Sequence, residues 1–232
     1  MLSLIQKEIV EQPGNLIVRA SAGTGKTHTM VSKIVYDIEH QHTHKVVAAI
    51  TFTIKAANEI KERLTIDTTN HFIGTNNSFA IEEIIKPFMK DVFGMEYKLD
   101  MSTDYSTKVN TFAEGLAKIK DEQIVCSYVN SRINFVFQLA LEILKKSKAC
   151  QLYLQAKYFK IYVDEYQDCD KDMHEFFMYI CETLQIDTFI VGDEKQSIYM
   201  WRGAFPKAFM SIWDRPDFSK KFMRDNFRSC QQ

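Results

Sequence analysis

Residues 15–27, NLIVRASAGTGKT, decide the fold. Their first part, Asn15 to Ala20, is a short apolar run typical of a buried strand, and a glycine-bearing loop follows it. A strand, a glycine-rich loop and a helix in this order are the context that a phosphate-binding loop requires. The apolar positions that predict the helix after the loop are Val31, Ile34, Val35 and Ile38.

The loop of residues 20–27, ASAGTGKT, has the chemistry of a phosphate cradle. Gly23 and Gly25 permit the backbone angles that aim successive N–H groups at phosphate oxygens at the start of a helix. Lys26 is predicted to reach the β- and γ-phosphates, and the Thr27 hydroxyl to bind Mg²⁺. The first position is alanine rather than the glycine of the generic pattern, but a chance GKT in a surface turn would not explain the flanking strand and helix. The predicted nucleotide-binding residues are Ala22, Gly23, Thr24, Gly25, Lys26 and Thr27.

A pair of acids follows another apolar strand, in the sequence VDEYQD of residues 163–168. Acids at the carboxyl edge of a parallel strand lie beside a phosphate loop in such sheets. We expect Asp164 to hold Mg²⁺ and Glu165 to orient and deprotonate the attacking water. The alternative is a solvated acidic turn or a helix cap formed by Asp168 or Asp170.

A third strand ends in a polar and aromatic segment, GDEKQSIYMWRGA, at residues 192–204. Gln196 is a neutral polar group placed to sense a γ-phosphate. Tyr199, Trp201 and Arg202 have the composition of a stacking platform for single-stranded bases. The alternative is a loop whose aromatic side chains fill the core.

The order of these segments predicts an α/β fold with a parallel sheet. Residues 80–157 show little strand pattern and are expected to form a helical insertion, with residues 94–110 as a loop and Pro87 restarting a helix. The sequence therefore predicts a first ATPase part at residues 1–79, a helical insertion at 80–157, and a second ATPase part at 158–232.

Composition excludes several classes of protein. Apolar residues make up 46% and charged residues 25%, which is ordinary for a soluble globular chain. The 29 basic and 30 acidic residues give a net charge of −1, so any nucleic acid must bind in a local groove. No apolar run is long enough to cross a membrane, and the first residues lack the layout of a signal peptide. The five cysteines form no CxxC pair and predict reduced thiols in a cytoplasmic protein.

Taken together, these segments resemble the UvrD/Rep family of superfamily 1 DNA helicases. The resemblance implies a RecA-like P-loop NTPase fold with ATP and Mg²⁺ as cofactors. An ordered set of motifs is more specific than any one of them. The matching segments are ASAGTGKT (Walker A), TFTIKAANEIKERL at 51–64 (motif Ia), VDEYQD (motif II), GDEKQSIYMWRGA (motif III) and NFRS at 226–229 (the start of motif IV).

The resemblance also implies roles for further residues. Gln6 would read the adenine, Phe227 would stack on it, and Arg228 would contact the γ-phosphate. For Phe227 the alternative is core packing, and for Arg228 it is a surface charge. Arg202 would either contact a phosphate or form an internal ion pair. The implied single-strand track comprises Thr51, Phe52 and Thr53, with Tyr199 and Trp201 offering stacking faces; core packing is the alternative for Phe52.

By this resemblance the activity is ATP-driven 3′–5′ movement on single-stranded DNA. Motifs V and VI and the second RecA-like domain are missing from the 232 residues, so we expect a fragment that binds ATP–Mg²⁺, hydrolyses it slowly and does not unwind DNA. Residues 74–79 read GTNNSF where the family has a GTFHSF-like segment.

Two other functions stay open at this point. One is a regulatory ATP-binding module that associates with nucleic acid, and the other is the motor of a helicase–nuclease or phage-defence system with an accessory or nuclease partner. The histidines at positions 40, 42 and 44 and the basic stretch at 145–160 are expected to be solvated; a metal site and a phosphate contact are their alternatives.

Overall fold

The computed structural model describes residues 2–41, 43–193 and 206–224. Its strands are β1 (Leu16–Ala20), β2 (Val46–Thr51), β3 (Phe72–Thr75), β4 (Ser102–Val109), β5 (Ile124–Tyr128), β6 (Tyr158–Val163), β7 (Asp187–Gly192) and β8 (Ser219–Met223). Its α-helices are α1 (Leu4–Glu11), α2 (Lys26–His40), α3 (Ile54–Arg63), α4 (Asn76–Ala80), α5 (Lys86–Phe93), α6 (Phe112–Glu122), α7 (Phe135–Lys146), α8 (Lys148–Lys157), α9 (Lys171–Glu182) and α10 (Pro206–Trp213). A π-helical segment (Ile81–Ile85) and a 3₁₀ turn (Tyr166–Asp168) complete the description.

Six strands form one parallel sheet in the order β3-β2-β6-β7-β1-β8, which confirms the predicted fold class. β7 lies between β1 and β6. All these strands run in the same direction, so the loops that follow β1, β6 and β7 emerge at one edge. This topology brings the phosphate loop and the acidic pair together.

Helices cover both faces of the sheet, and successive strand residues therefore face two different cores. Ile17 of β1 belongs to the larger core, whereas Leu16 and Val18 belong to the smaller one. α2 packs on the smaller core through Met30 and Ile34. Burial on both faces explains why the inner strands β1, β2 and β7 read as largely continuous apolar runs rather than alternating ones.

The insertion is not wholly helical. β4 and β5 pair in parallel as a separate two-stranded sheet, with α6 connecting them. The expectation of a loop over residues 94–110 is therefore wrong at Ser102–Val109. β4 reads STDYSTKV and is mostly exposed, so it lacks the apolar pattern by which strands are predicted.

The helical part of the insertion agrees with its sequence pattern. α7 buries a stripe of apolar residues that includes Val136, Phe137 and Leu144. Pro87 lies in the first turn of α5, where its missing N–H costs little, and the π-helical segment precedes it. Within the described residues, no helix is long and apolar enough to span a bilayer.

Candidate nucleotide-binding site and adjoining cleft

The phosphate loop has the backbone conformation that its glycines predict. Gly23 and Gly25 have φ angles of 75° and 83°, in the left-handed region that glycine adopts without strain. Gly25 is the N-cap of α2, and Lys26 is the first residue of that helix. Thr24 is buried, and its hydroxyl donates to the Ser21 carbonyl at 2.8 Å, which closes the loop as a turn. The loop thus leads directly into a helix N-terminus, as an anion site requires.

Gln6 of α1 is tied to this loop. Its side-chain Nε2 donates to the Thr24 carbonyl at 3.2 Å, and its Oε1 accepts from the Ser3 backbone N–H at 2.9 Å. A Cβ at Gly25 would lie 3.0 Å from Gln6 Nε2, a tight contact that would shift the end of this side chain. The structure therefore places Gln6 against the loop, and its contact with adenine remains a prediction.

Lys26 and Glu165 meet across the edge of the sheet. Lys26 Nζ lies 3.1 Å from Glu165 Oε2, and both side chains retain some exposure, 11% and 36%. The same Oε2 accepts from Gln167 Nε2 at 2.8 Å. Two segments 139 residues apart in sequence thus form one contact, as expected for strand ends of a parallel sheet.

Asp164 lies behind this pair in a buried position. Its backbone N–H donates to the Ile50 carbonyl at 3.0 Å, and its Oδ1 accepts from the Glu165 N–H at 2.9 Å. Burial, and then the Glu165 charge, raise the pKa of Asp164 to about 7, while the Lys26 charge acts in the opposite direction. A buried carboxylate of this kind gains stability from a bound cation.

The residues predicted to hold Mg²⁺ fit that ion. Thr27 and Asp164 offer a hydroxyl and a carboxylate, which are hard oxygen ligands. No group of three His, Cys, Asp or Glu side chains within residues 2–41, 43–193 and 206–224 could hold a metal. Mg²⁺ at this place would therefore complete its shell with phosphate oxygens and water, its usual arrangement in nucleotide sites.

The backbone of Glu165 and the side chain of Gln167 have roles in the site that the sequence did not predict. Glu165 has φ 48° and ψ 41°, a left-handed conformation that a non-glycine residue adopts at some cost and that clusters at functional sites. Gln167 Oε1 accepts from the Asp193 backbone N–H at 2.9 Å. Gln167 therefore connects Glu165 to the chain that leaves β7. It belongs to the quoted motif VDEYQD, but only the structure shows that it contacts both Glu165 and Asp193.

The three described residues of the predicted single-strand track, Thr51, Phe52 and Thr53, differ in whether they reach the surface. Thr51 is buried and its hydroxyl donates to the Thr53 carbonyl at 3.0 Å, so its side chain does not line the cleft. Thr53 is exposed and caps α3, accepting from Ala56 N at 3.1 Å. Phe52 is half-buried and packs against the larger core, as its alternative reading predicted, while one side lines the cleft.

Several predicted site residues lie outside the described residues, and their roles stay predictions. They are Gln196, Tyr199, Trp201, Arg202, Phe227 and Arg228.

His40 and His44 are exposed, as expected, and so are Lys145, Lys146 and Lys148 of the basic stretch. His40 stacks on Tyr36 with ring centroids 3.9 Å apart, and His42 lies outside the described residues. The basic stretch does not form one exposed face, since Lys157 pairs with Glu83 at 2.7 Å and Lys160 is buried against Asp37 at 3.1 Å.

A cleft of about 660 Å³ separates the sheet from the insertion. On the sheet side it is lined by Phe52, Thr53, Asn76 and Asn77, and on the insertion side by Tyr105, Lys108, Ser127 and Tyr128, among others. Asn76 and Asn77 come from the GTNNSF segment, so this departure from the family pattern lies directly in the cleft.

The fold and the loop define a P-loop nucleotide-binding protein. Comparison with known families then gives a narrower assignment, because the model of the UvrD/REP helicase N-terminal domain matches residues 2–130 and 76–217. The chain belongs to this family.

Individual proteins are also similar in sequence to this chain over nearly its whole length. The chain is 48% identical over 228 residues to the Gabija protein GajB of Bacillus cereus strain VD045. This match covers 97% of this chain and 46% of that protein. It is 29% identical to the ATP-dependent DNA helicase Rep of Buchnera aphidicola subsp. Acyrthosiphon pisum, over 98% of this chain and 43% of that protein. The chain is 28% identical to the ATP-dependent DNA helicase PcrA of Bacillus subtilis, and the match covers 100% of this chain and 38% of that protein. The chain spans less than half the length of each relative.

A solved structure supports the fold. The Pif1 helicase of Candida albicans superimposes with a TM-score of 0.53 at 14% identity, over 98% of this chain and 40% of that one. At this identity the similarity concerns the fold alone.

Proposed function

We propose that this chain is the ATP-binding N-terminal part of an ATP-dependent DNA helicase or translocase that moves 3′–5′ along single-stranded DNA. The observation that carries the proposal is the 3.1 Å contact between Lys26 of the phosphate loop and Glu165 of the acidic pair. A cation and a carboxylate held together at the edge of a parallel sheet are the two charges that ATP hydrolysis needs on either side of a γ-phosphate.

The chain's own residues then have distinct tasks. An arriving triphosphate would compete with Glu165 for the Lys26 ammonium. Release from Lys26 would leave Glu165 free to accept a proton from the attacking water, with Gln167 Nε2 still holding the carboxylate. Mg²⁺, held by Thr27 and Asp164, would neutralise charge on the phosphate oxygens when bound.

Two substitutions test these tasks. Lys26→Ala should weaken binding of a fluorescent ATP analogue to this chain by about tenfold or more, because the loss of one charge-assisted contact costs roughly 1.5–3 kcal/mol. Glu165→Gln should keep nucleotide affinity within about threefold, an effect below 1 kcal/mol, and should abolish phosphate release in the complete protein. Normal ATP hydrolysis by Glu165→Gln would show that another group acts as the base.

The regulatory ATP-binding module remains the competing function. A switch needs nucleotide binding but does not need the Asp164–Glu165 pair or the left-handed backbone of Glu165. Single-stranded DNA that stimulates ATP turnover by the complete protein supports a motor, whereas a turnover that DNA does not change supports the switch.

For the cellular setting, we favour the motor of a phage-defence system. The support is the 48% identity to the Gabija protein GajB, against 29% and 28% for Rep and PcrA. An accessory or nuclease partner belongs to this proposal. Phage plaque counts on cells carrying the complete locus, with and without Glu165→Gln, test it: a defence motor should lose protection with this single substitution.

A further inference from the structure

The strand β4 of the insertion is interrupted by a long bulge. Thr103 pairs with Val125 and Lys108 pairs with Ser127, so the four residues 104–107 stand opposite Cys126 alone. Bulges re-aim side chains and occur next to functional sites. Here the bulge carries Tyr105 towards the cleft described above.

Side-chain hydrogen bonds hold the bulge in shape. Asp104 Oδ1 accepts from the Ser106 backbone N–H at 2.9 Å, and Asp104 Oδ2 accepts from the Thr107 hydroxyl at 2.7 Å. The Ser127 hydroxyl donates to the Tyr105 carbonyl at 2.9 Å. Hydrogen bonds from Ser106 and Thr107 lower the pKa of Asp104 to about 2, so the carboxylate that organises the bulge is ionised at neutral pH. The bulge is therefore a defined structure that fixes where Tyr105 lies.

Tyr105 spans the space between the insertion and the sheet. Its hydroxyl accepts from Asn77 Nδ2 at 3.0 Å, yet 39% of the residue is exposed. The cleft of about 660 Å³ and a second one of about 490 Å³ meet at this hydrogen bond. The residues that line both clefts are Phe52, Asn76, Asn77 and Tyr105.

The ring faces of Tyr105 and the side-chain oxygen of Asn77 could both still bind a ligand. Among the described residues, the Tyr105 ring stacks on no other aromatic ring, and its hydrogen bond engages the ring edge rather than its faces. Asn77 Oδ1 is buried and has no hydrogen-bond partner in the described part of the chain. A buried amide oxygen without a partner is unusual and is explained if a ligand donates to it.

A lysine lies next to this tyrosine. Lys108 is exposed, lines the larger cleft, and donates through Nζ to the Ser127 hydroxyl at 2.7 Å. Asp168 and Asp170 also line the cleft, but Asp170 is engaged by the Met173 N–H at 2.8 Å and the Asn134 amide at 2.9 Å. Lys108 is thus a cation on the insertion side of the cleft, where a phosphate of a bound strand could pass.

We propose that the bulge of β4 builds the second wall of the single-stranded DNA site, with Tyr105 as a base-stacking residue and Lys108 as a phosphate contact. Asn77 anchors the Tyr105 hydroxyl and offers Oδ1 to a base, and Phe52 lines the same cleft. An aromatic face beside a cation is the chemistry that binds single strands with little sequence preference. This proposal rests on the proposed function, since it extends the same nucleic-acid site.

Fluorescence anisotropy of a labelled oligothymidylate on this chain tests the stacking role. Tyr105→Ala should weaken binding by about fivefold or more, which corresponds to the loss of one stacked base. Tyr105→Phe keeps the ring and should retain most of the affinity, even though it removes the hydrogen bond to Asn77. Tyr36→Ala is the matched control, since Tyr36 is a partly exposed tyrosine of α2 stacked on His40.

The phosphate contact has a separate signature. Lys108→Ala should reduce the slope of log affinity against log salt concentration by about 0.7, the value expected for one phosphate of a single strand. Lys98→Ala, which removes an exposed lysine of the insertion that does not line the cleft, should leave the slope unchanged.

A measurement on the unaltered chain guards against a variant that misfolds. An oligothymidylate carrying 5-iododeoxyuridine should crosslink to Tyr105 under ultraviolet light, as mapped by mass spectrometry. Equal binding by Tyr105→Ala and Tyr36→Ala, with Phe52→Ala weaker, would overturn this inference and leave the helicase proposal standing. Crosslinks confined to other residues would do the same. If the unaltered chain and the complete protein both fail to bind the oligonucleotide, the helicase proposal fails as well.

Discussion

At the scale of single residues, the carboxylate of Glu165 accepts from two donors in the described part of the chain, and these donors differ in charge. Lys26 Nζ at 3.1 Å is a cation that a phosphate would attract, whereas Gln167 Nε2 at 2.8 Å is neutral and anchored at its other end to the Asp193 N–H. Gln167 is therefore the donor expected to remain when nucleotide binds. We therefore expect Gln167 to act as a positioning residue that holds Glu165 in place.

Gln167→Ala should consequently lower the kcat of the complete protein by about tenfold to a hundredfold, the cost of a catalytic group displaced by an ångström. KM for ATP should change little, because Lys26 and the phosphate loop remain. Steady-state phosphate release over a range of ATP concentrations gives both constants. Gln41→Ala, at an exposed glutamine beyond α2, is the control. A change in KM alone would assign Gln167 to nucleotide binding instead.

At the scale of elements, a buried polar network joins α1, α2 and β6. Lys33 Nζ donates to the carbonyls of Val10 at 3.1 Å and Gln12 at 2.7 Å, and it also contacts Asp37 at 3.3 Å. Asp37 Oδ2 accepts in turn from Lys160 Nζ at 3.1 Å and from the Tyr162 hydroxyl at 2.5 Å. The network thereby fixes the helix that carries Gln6 to the strand that immediately precedes Asp164.

Lys33→Met should destabilise the chain by about 3 kcal/mol, because it leaves two carbonyls without a donor and Asp37 with one cation fewer. Urea unfolding of this chain measures the effect. Lys55→Met removes an exposed lysine of α3 and should change the free energy of unfolding by less than about 0.5 kcal/mol. Equal stability of the two variants would contradict a structural role for the network.

The same network predicts a pH dependence of stability. Burial, and then the Lys160 charge, lower the pKa of Lys33 from 10.5 to about 8, against the opposing effect of Asp37. Between these two values the unfolded chain binds more protons than the folded one, so stability attributable to Lys33 rises with pH from about 8 to 10.5. The difference in free energy of unfolding between the unaltered chain and Lys33→Met should therefore grow over this interval. A difference that shrinks would contradict the lowered pKa.

At the scale of the whole molecule, the chain covers 46%, 43% and 38% of the lengths of GajB, Rep and PcrA. One domain supplies all four polar side chains at the predicted nucleotide-binding edge, namely Lys26, Asp164, Glu165 and Gln167. Under the proposed function, and as the resemblance to UvrD/Rep helicases implies, a second RecA-like domain of the complete protein would close over the nucleotide. We therefore expect the rest of the complete protein to supply an arginine to the same phosphate.

This expectation can be measured as a ratio of rates. ATP turnover by the complete protein with single-stranded DNA should exceed that of this chain by about 10³-fold or more, the contribution of such an arginine. A coupled ATPase assay with and without oligothymidylate determines it, and nucleotide affinity of the chain serves as the control for folding. Equal rates would show that the described domain suffices for hydrolysis.

Much of the fold was predictable because its signals are local. A short apolar run, a loop with glycines at positions 23 and 25, and a helical stripe lie within about two dozen residues, and together they predicted the parallel sheet that the structure has. The insertion was less predictable. β4 is short of apolar residues because it pairs with one strand only and faces solvent, so its sequence resembles a polar loop.

The amino-acid sequence by itself determined the class of fold, the phosphate loop and the identity of the acids that face it, since each depends on residue types within one contiguous segment. The tertiary structure alone decided which distant groups share a contact. Gln167 meets the Asp193 N–H, Lys160 meets Asp37, and Asn77 meets Tyr105, across separations of 26, 123 and 28 residues. Strand order and the path of a bulge create these pairs, and neither leaves a periodic pattern in the chain.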